Sequence, residues 1–93
     1  MKKVLFVLLI SLTSCALKPP VQEMSDARSA IKMAQELPGQ PNNRAQTYLK
    51  SAEQALDEAA NAISAERYER ARSKALEAKR NAQKAARIKQ SQH

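Results

Sequence analysis

The sequence predicts an all-α domain, a short N-terminal helix followed by an antiparallel helical hairpin. Apolar residues recur at steps of three and four along three stretches, 27–37, 45–63 and 68–85, and this is the period of one face of an α-helix. The chain holds 1 Gly and 4 Pro, and these helix-breaking residues stand outside the three stretches. The predicted core is therefore made by helices packed on one another.

Each predicted helix has its own start signal. Ser25 is expected to cap the first helix, which ends at Pro38-Gly39 in the one loop that the sequence requires. Asn42 or Asn43 is expected to cap the second helix, which extends to about residue 63. Its predicted buried face consists of Ala45, Tyr48, Leu49, Ala52, Ala55, Leu56, Ala59, Ala62 and Ile63.

The third helix, from about residue 66 to 90, has an apolar face made almost only of Ala, which we call the Ala seam. This seam comprises Tyr68, Ala71, Ala75, Ala78, Ala82 and Ala85. Ser64 as a cap and a break of phase between Ile63 and Tyr68 favour a turn before it. Because no Gly or Pro occurs there, one long continuous helix or coiled coil is the alternative. Predicted lengths of about 31 and 37 Å let the end of the third helix project beyond its partner.

The first residues have the layout of a secretory signal. Lys2 and Lys3 precede an apolar run over residues 4–12, which is shorter than the ~20 residues that span a bilayer. The predicted organisation is a signal peptide at 1–14, a Pro-containing tether at 15–24 and an Ala-rich helical domain at 25–90.

The signal ends in Leu12, Thr13, Ser14 and Cys15. This ending resembles the lipobox of bacterial lipoproteins, with the uncommon Thr13 as its departure. The resemblance implies cleavage between Ser14 and Cys15, a diacylglycerol thioether and an N-acyl chain on Cys15, and hence a stable membrane anchor without a spanning helix. The alternatives for the single Cys are a buried free thiol and a chance Cys near an ordinary cleavage site.

The residue after the lipobox bears on location. Ala16 stands where lipoproteins held at the inner membrane often have Asp. The resemblance thus implies the outer membrane, facing the periplasm, in a Gram-negative cell.

The helical region carries a second resemblance. The segment Ala-Glu-Arg-Tyr-Glu-Arg-Ala at 65–71 is similar to the turn and helix start of a tetratricopeptide-type unit, although the Trp and Gly-Tyr signals of that repeat are missing. The pattern of Ala helices over 24–88 also resembles small bacterial envelope lipoproteins with no assigned biochemical role.

Positive charge is concentrated near the C-terminus. Residues 16–63 have a net charge of −1 and residues 64–93 a net charge of +6. The candidate surface for an anionic partner is formed by Lys79, Arg80, Lys84, Arg87 and Lys89. The partner classes are peptidoglycan or an envelope protein, and nucleic acid is not expected without stacking aromatics nearby. The competing interpretation of the same charges is a solvated helix face.

The sequence gives no support for enzyme chemistry. His93 is the only His, and there is no second Cys, Gly-rich phosphate loop or nucleophile elbow. We expect no metal and no cofactor. The favoured hypothesis is a nonenzymatic structural or adaptor lipoprotein. The alternatives are a self-assembling tether like the murein lipoprotein, which would be a homo-oligomer, and a small regulator or inhibitor of an envelope enzyme.

Overall fold

Three helices make up the part of the chain that the computed structural model describes, residues 18–38 and 42–91. They are α1, Val21–Glu36; α2, Asn43–Ser64; and α3, Tyr68–Gln90. The all-α prediction is confirmed for these residues, which contain no strand. The predicted signal peptide, the predicted cleavage site, Cys15 and the loop residues 39–41 lie outside them.

Helix α1 begins at Val21, four residues before the predicted cap. Ser25 is exposed on the second turn and is therefore not the N-cap. Pro20 takes that position; it is fully buried, and its carbonyl oxygen accepts the N–H of Met24 at 3.0 Å. A proline suits this place because its fixed φ matches the helix start and its missing N–H would be unpaired there. Part of the predicted tether is thus helical.

Helix α2 is capped at both ends by hydrogen bonds with the residues that flank it. The Oδ1 of Asn42 accepts the N–H of Ala45 at 3.0 Å, which decides between the two predicted caps. At the other end the N–H of Arg67 donates to Ala62 O at 2.8 Å and the N–H of Glu66 to Ile63 O at 2.9 Å. This pair of bonds is a Schellman motif, and it places Glu66 at a left-handed φ of 59°.

The turn between α2 and α3 does not use Ser64 as a cap. Ser64 is the last residue of α2, and its hydroxyl donates to Ala60 O at 3.3 Å. Arg67 occupies the N-cap position of α3 without a side-chain cap bond. The prediction of Ser64 as a cap was wrong because the turn is made by backbone hydrogen bonds alone. A turn between two packed helices is consistent with the predicted hairpin.

The three helices share one core arranged in layers. Met24 of α1 packs with Ala59 of α2 and Ala75 of α3 in the first layer, and Ala27, Ala55 and Ala78 form the second. The third layer comprises Ile31, Ala34, Ala45, Leu49, Ala52, Ala82 and Ala85. Residue numbers rise along α1 and α3 and fall along α2 through these layers, so α1 is parallel to α3 and antiparallel to α2.

The buried faces follow the predicted periodicity. All five seam Ala residues of α3 are buried, and so are six residues of the predicted α2 face, while Tyr48, Leu56 and Ile63 are half-buried. This prediction is confirmed, although it missed Met24. Helix α3 packs against both of the other helices, and none of the described helices has the length and apolarity needed to cross a bilayer.

The C-terminal end of α3 does not project. Helices α2 and α3 contain 22 and 23 residues, so their lengths are nearly equal. Ala85, Ala86 and Ile88 pack into the third layer beside α1 and α2. The prediction of a projecting end was wrong because α2 is longer and α3 shorter than the sequence indicated.

Candidate functional site

Cations of α3 lie along both edges of its buried Ala seam. On the α1 side, Nε of Arg72 donates to Oε2 of Glu23 at 3.0 Å, and Nζ of Lys79 lies 3.8 Å from Oδ2 of Asp26. The methylene groups of Lys and Arg side chains can lie against the small Ala side chains while their charged groups stay in water. The ion pairs therefore join α3 to α1 where the seam itself buries only methyl groups.

A second set of contacts joins α3 to α2. The ammonium of Lys74 lies 2.8 Å from Oε2 of Glu58, and Nζ of Lys84 lies 5.1 Å from the centroid of the Tyr48 ring. The second distance is that of a cation–π contact. Tyr48 thus packs against the core by its ring and meets a cation at its outer face.

The ion pairs shift the ionisation of their members. The hydrogen bond from Lys74 lowers the pKa of Glu58, and the same bond raises the pKa of Lys74. The pKa of Glu23 is lowered first by its own backbone N–H and then by the guanidinium of Arg72. All three groups are therefore charged at neutral pH and act as fixed contacts between helices.

Lys89 of α3 contacts the C-terminal end of α1. Its Nζ donates to the carbonyl oxygen of Ala34 at 2.6 Å. The last four carbonyl groups of a helix have no partner within the helix, so an external donor satisfies one of them. A cation at this place also suits the negative end of the α1 dipole.

The five predicted surface cations therefore divide into two groups. Lys79, Lys84 and Lys89 contact α1 or α2. Arg80 and Arg87 are exposed, and no ion pair within the described ranges 18–38 and 42–91 includes them. The predicted surface is thus partly structural, since three of its five cations contact the neighbouring helices.

Two shallow cavities lie near the α2–α3 turn. A polar one of about 260 Å³ is lined by Glu58, Asn61, Ala62, Ala65, Arg67 and Arg70. A more apolar one of about 220 Å³ is lined by Pro19, Val21, Met24, Arg28 and Ile63. Neither lining contains a Cys or a His, and no group of three potential metal ligands occurs among the described residues. The first cavity offers ionic contact and hydrogen bonding, and the second offers mainly apolar contact.

Comparison with protein families gives one match. Residues 22–92 match the family described as a domain of unknown function (DUF4398). The chain belongs to this family. The matched span includes all three helices except Val21, so the DUF4398 domain of this chain is the helical bundle. No match was found among curated proteins or among solved structures.

Three further cations of the DUF4398 bundle were missed as site candidates from the sequence. Lys32 on α1 and Arg44 and Lys50 on α2 are exposed. They are spread through a segment whose net charge is near zero, so a count along the chain does not single them out. The signal that could have found them is the packing order of the helices, which brings them to the same end as Arg80 and Arg87.

Proposed function

We propose that this protein is a nonenzymatic lipoprotein, anchored through Cys15 to the periplasmic face of the outer membrane, that acts as a structural or adaptor element of the cell envelope. Its working part is the helical bundle, with α2 and α3 as a hairpin and α1 beside them. The observation that carries this proposal is that the bundle exposes a cationic surface, whereas the apolar faces of its helices are buried against one another. Such a surface suits a binding role.

The covered Ala seams support an adaptor over a self-assembling tether. Four of the five buried seam Ala residues of α3, at positions 75, 78, 82 and 85, pack against residues of α1 and α2 of the same chain. A tether that works through self-association needs an apolar stripe that stays open to a second copy. The exposed large apolar side chains of the described residues, Val21, Met33 and Leu76, lie on two helices and form no such stripe.

The short distance between Cys15 and α1 limits how far the proposed anchor would hold the bundle from the membrane. Helix α1 begins at Val21, so six residue steps separate it from Cys15 and span at most about 22 Å when fully extended. Two or more acyl chains hold a protein stably in one leaflet. The bundle would stand next to the membrane while its surface stays in the periplasm.

Metabolic labelling tests the anchor. Cells that express the full chain are labelled with palmitate, and Cys15→Ser is compared with Ser14→Ala, which keeps the thiol. We expect label and outer-membrane fractionation for the unmodified chain and Ser14→Ala, and an unlabelled precursor for Cys15→Ser. Equal labelling of Cys15→Ser would overturn the proposed anchor.

In-cell crosslinking tests the adaptor role. A photo-crosslinker at Gln83, on the exposed side of α3, should give a discrete product with an envelope protein or with peptidoglycan. A product formed only with a second copy of the chain would favour the self-assembling tether instead. The likeness to a tetratricopeptide unit stays a prediction.

A further inference from the structure

The charges of the bundle are unequally divided between its two ends. We call the end at which Lys18 joins α1 the tether end, and the end at which α3 finishes the far end. The tether half, 18–29 and 55–79, includes the first two core layers and the α2–α3 turn. The far half, 30–38, 42–54 and 80–91, includes the third layer.

The tether half is electrically balanced. Its seven cations stand against seven acids, and three of the cations, Arg72, Lys74 and Lys79, are held in ion pairs between helices. The far half has seven cations and only two acids, a net charge of +5. One of those acids, Glu53, already accepts a hydrogen bond from Gln35 at 3.1 Å. All of the net positive charge of the described bundle is therefore in the far half.

The free cations of the far half surround the bundle. Five of them are exposed and take part in neither an ion pair nor a cation–π contact within the described residues; they are Lys32, Arg44, Lys50, Arg80 and Arg87. We call these five residues the cationic collar. They come from all three helices, and the exposed side of each helix points away from the shared core. The collar thus faces outward in three directions and is not one flat patch.

The three directions in which the collar faces indicate what kind of partner can contact all of it. A folded protein or a flat lipid surface can meet only one side of the bundle at a time, whereas a flexible polymer network can approach all three. The collar also lies away from the anchored end, because Arg87 is about 28 Å along α3 from Tyr68. Charges in water are screened over about 8 Å at physiological ionic strength. The collar is therefore screened from the lipid surface next to the tether end.

We propose that the cationic collar binds peptidoglycan by inserting the far end of the bundle into the network, where arginine and lysine side chains meet the carboxylates of the stem peptides. This inference rests on the proposed function, because it needs a bundle that is anchored in the periplasm, and it names the partner class of the exposed surface. The tether half has equal numbers of cations and acids and is neutral, so binding is directed to the far end.

Co-sedimentation with purified sacculi tests the collar. The full chain, purified from membranes in a non-ionic detergent, is pelleted with sacculi at low and high salt. The triple variant Lys32→Gln, Lys50→Gln, Arg87→Gln removes three collar charges. The matched control is the triple variant Arg28→Gln, Arg67→Gln, Arg70→Gln, which removes three exposed cations of the tether half. Both triple variants therefore have the same net charge. Circular dichroism verifies that both variants remain helical.

We expect the collar triple to weaken sacculus binding about tenfold or more at low salt and the control triple to leave it nearly unchanged. Equal weakening by both triples would overturn the proposal, because binding would then follow net charge alone. Absence of binding by the unmodified chain would also overturn it. So would stronger binding to phosphatidylglycerol vesicles than to sacculi, which would assign the collar to lipid headgroups. Palmitate labelling is a separate readout, so failure of the anchor is distinguished from failure of the collar.

Discussion

Lys89 of α3 donates a 2.6 Å hydrogen bond to the carbonyl oxygen of Ala34 and so ties the last turn of α3 to the last turn of α1. The two residues are 55 positions apart in the sequence. The bond exists because α1 and α3 run parallel and end at the same level. It gives α1, the shortest helix, a fixed point at the end opposite to Pro20.

Replacement of Lys89 should loosen this end of the bundle. We expect Lys89→Met, which keeps the apolar stem, to lower the free energy of unfolding by about 1 kcal/mol, since a partly buried carbonyl loses a charged donor. Urea denaturation measures the change. Lys50→Met is the matched control, because Lys50 is exposed, and it should change stability little. Equal effects of the two variants would show that the bond to Ala34 adds no stability.

Enlargement of the seam should separate the helices. Ala78 is fully buried between Ala27 and Ala55, so Ala78→Leu should overpack the second layer and cost about 1–3 kcal/mol. Thermal unfolding followed by circular dichroism is the measurement. Ala60→Leu adds the same side chain at an exposed position of α2 and should leave the melting temperature nearly unchanged. If Ala78→Leu melts like the unmodified chain, the seam is not close-packed.

The turn between α2 and α3 offers a stabilising substitution. Glu66 has a φ of 59°, a conformation that costs non-Gly residues about 1 kcal/mol and that Gly adopts freely. Glu66→Gly should therefore raise the melting temperature, with a gain of up to about 1 kcal/mol. Ser64→Gly, inside the last turn of α2, should instead lower it. A loss of stability in Glu66→Gly would argue against the left-handed turn.

The ion pair between Glu58 and Lys74 makes stability depend on pH. The pKa of Glu58 is lowered from its ordinary value of 4.5, so its contribution is present above that pH and is lost as the pH falls through the lower folded-state pKa. The pKa of Lys74 is raised from 10.5, so its contribution is present below pH 10.5 and is lost as the pH rises through the higher folded-state pKa.

Urea midpoints measured from neutral pH downward test the acid side of this dependence. Glu58→Gln should be less stable at neutral pH and should lose less stability below pH 4.5 than the unmodified chain. Asp57→Asn, which removes an exposed neighbouring acid, should keep the original slope. An unchanged slope in Glu58→Gln would mean that the pair does not contribute to the acid transition.

The sequence predicts the buried faces better than the helix ends. Ala71, Ala75 and Ala78 recur with the helical period, and burial follows that period whichever helix covers them. The starts of α1 and α3 were misplaced because Ser25 and Ser64 can act as caps in isolation. In the folded chain, Pro20 and the backbone bonds of the turn take those places.

The candidate surface was only partly predictable, since it depends on how the helices align. Lys79 and Lys84 look like Arg80 and Arg87 in the sequence. Only the alignment of α3 with the other two helices places Lys79 beside Asp26 and Lys84 beside Tyr48. Charge counted along the chain likewise hides Lys50, because neighbours in sequence are not neighbours in the packed bundle.

The parallel order of α1 and α3 has a mechanical consequence. A pull applied between the first residue of α1 and the last residue of α3 acts along the two helix axes in opposite directions. It slides the helices past each other, and the contacts Arg72–Glu23, Lys79–Asp26 and Lys89–Ala34 resist that shear together. An antiparallel pair pulled at the same two termini would open from one end, one contact after another. The connection of the chain thus makes this small bundle resist tension along its length.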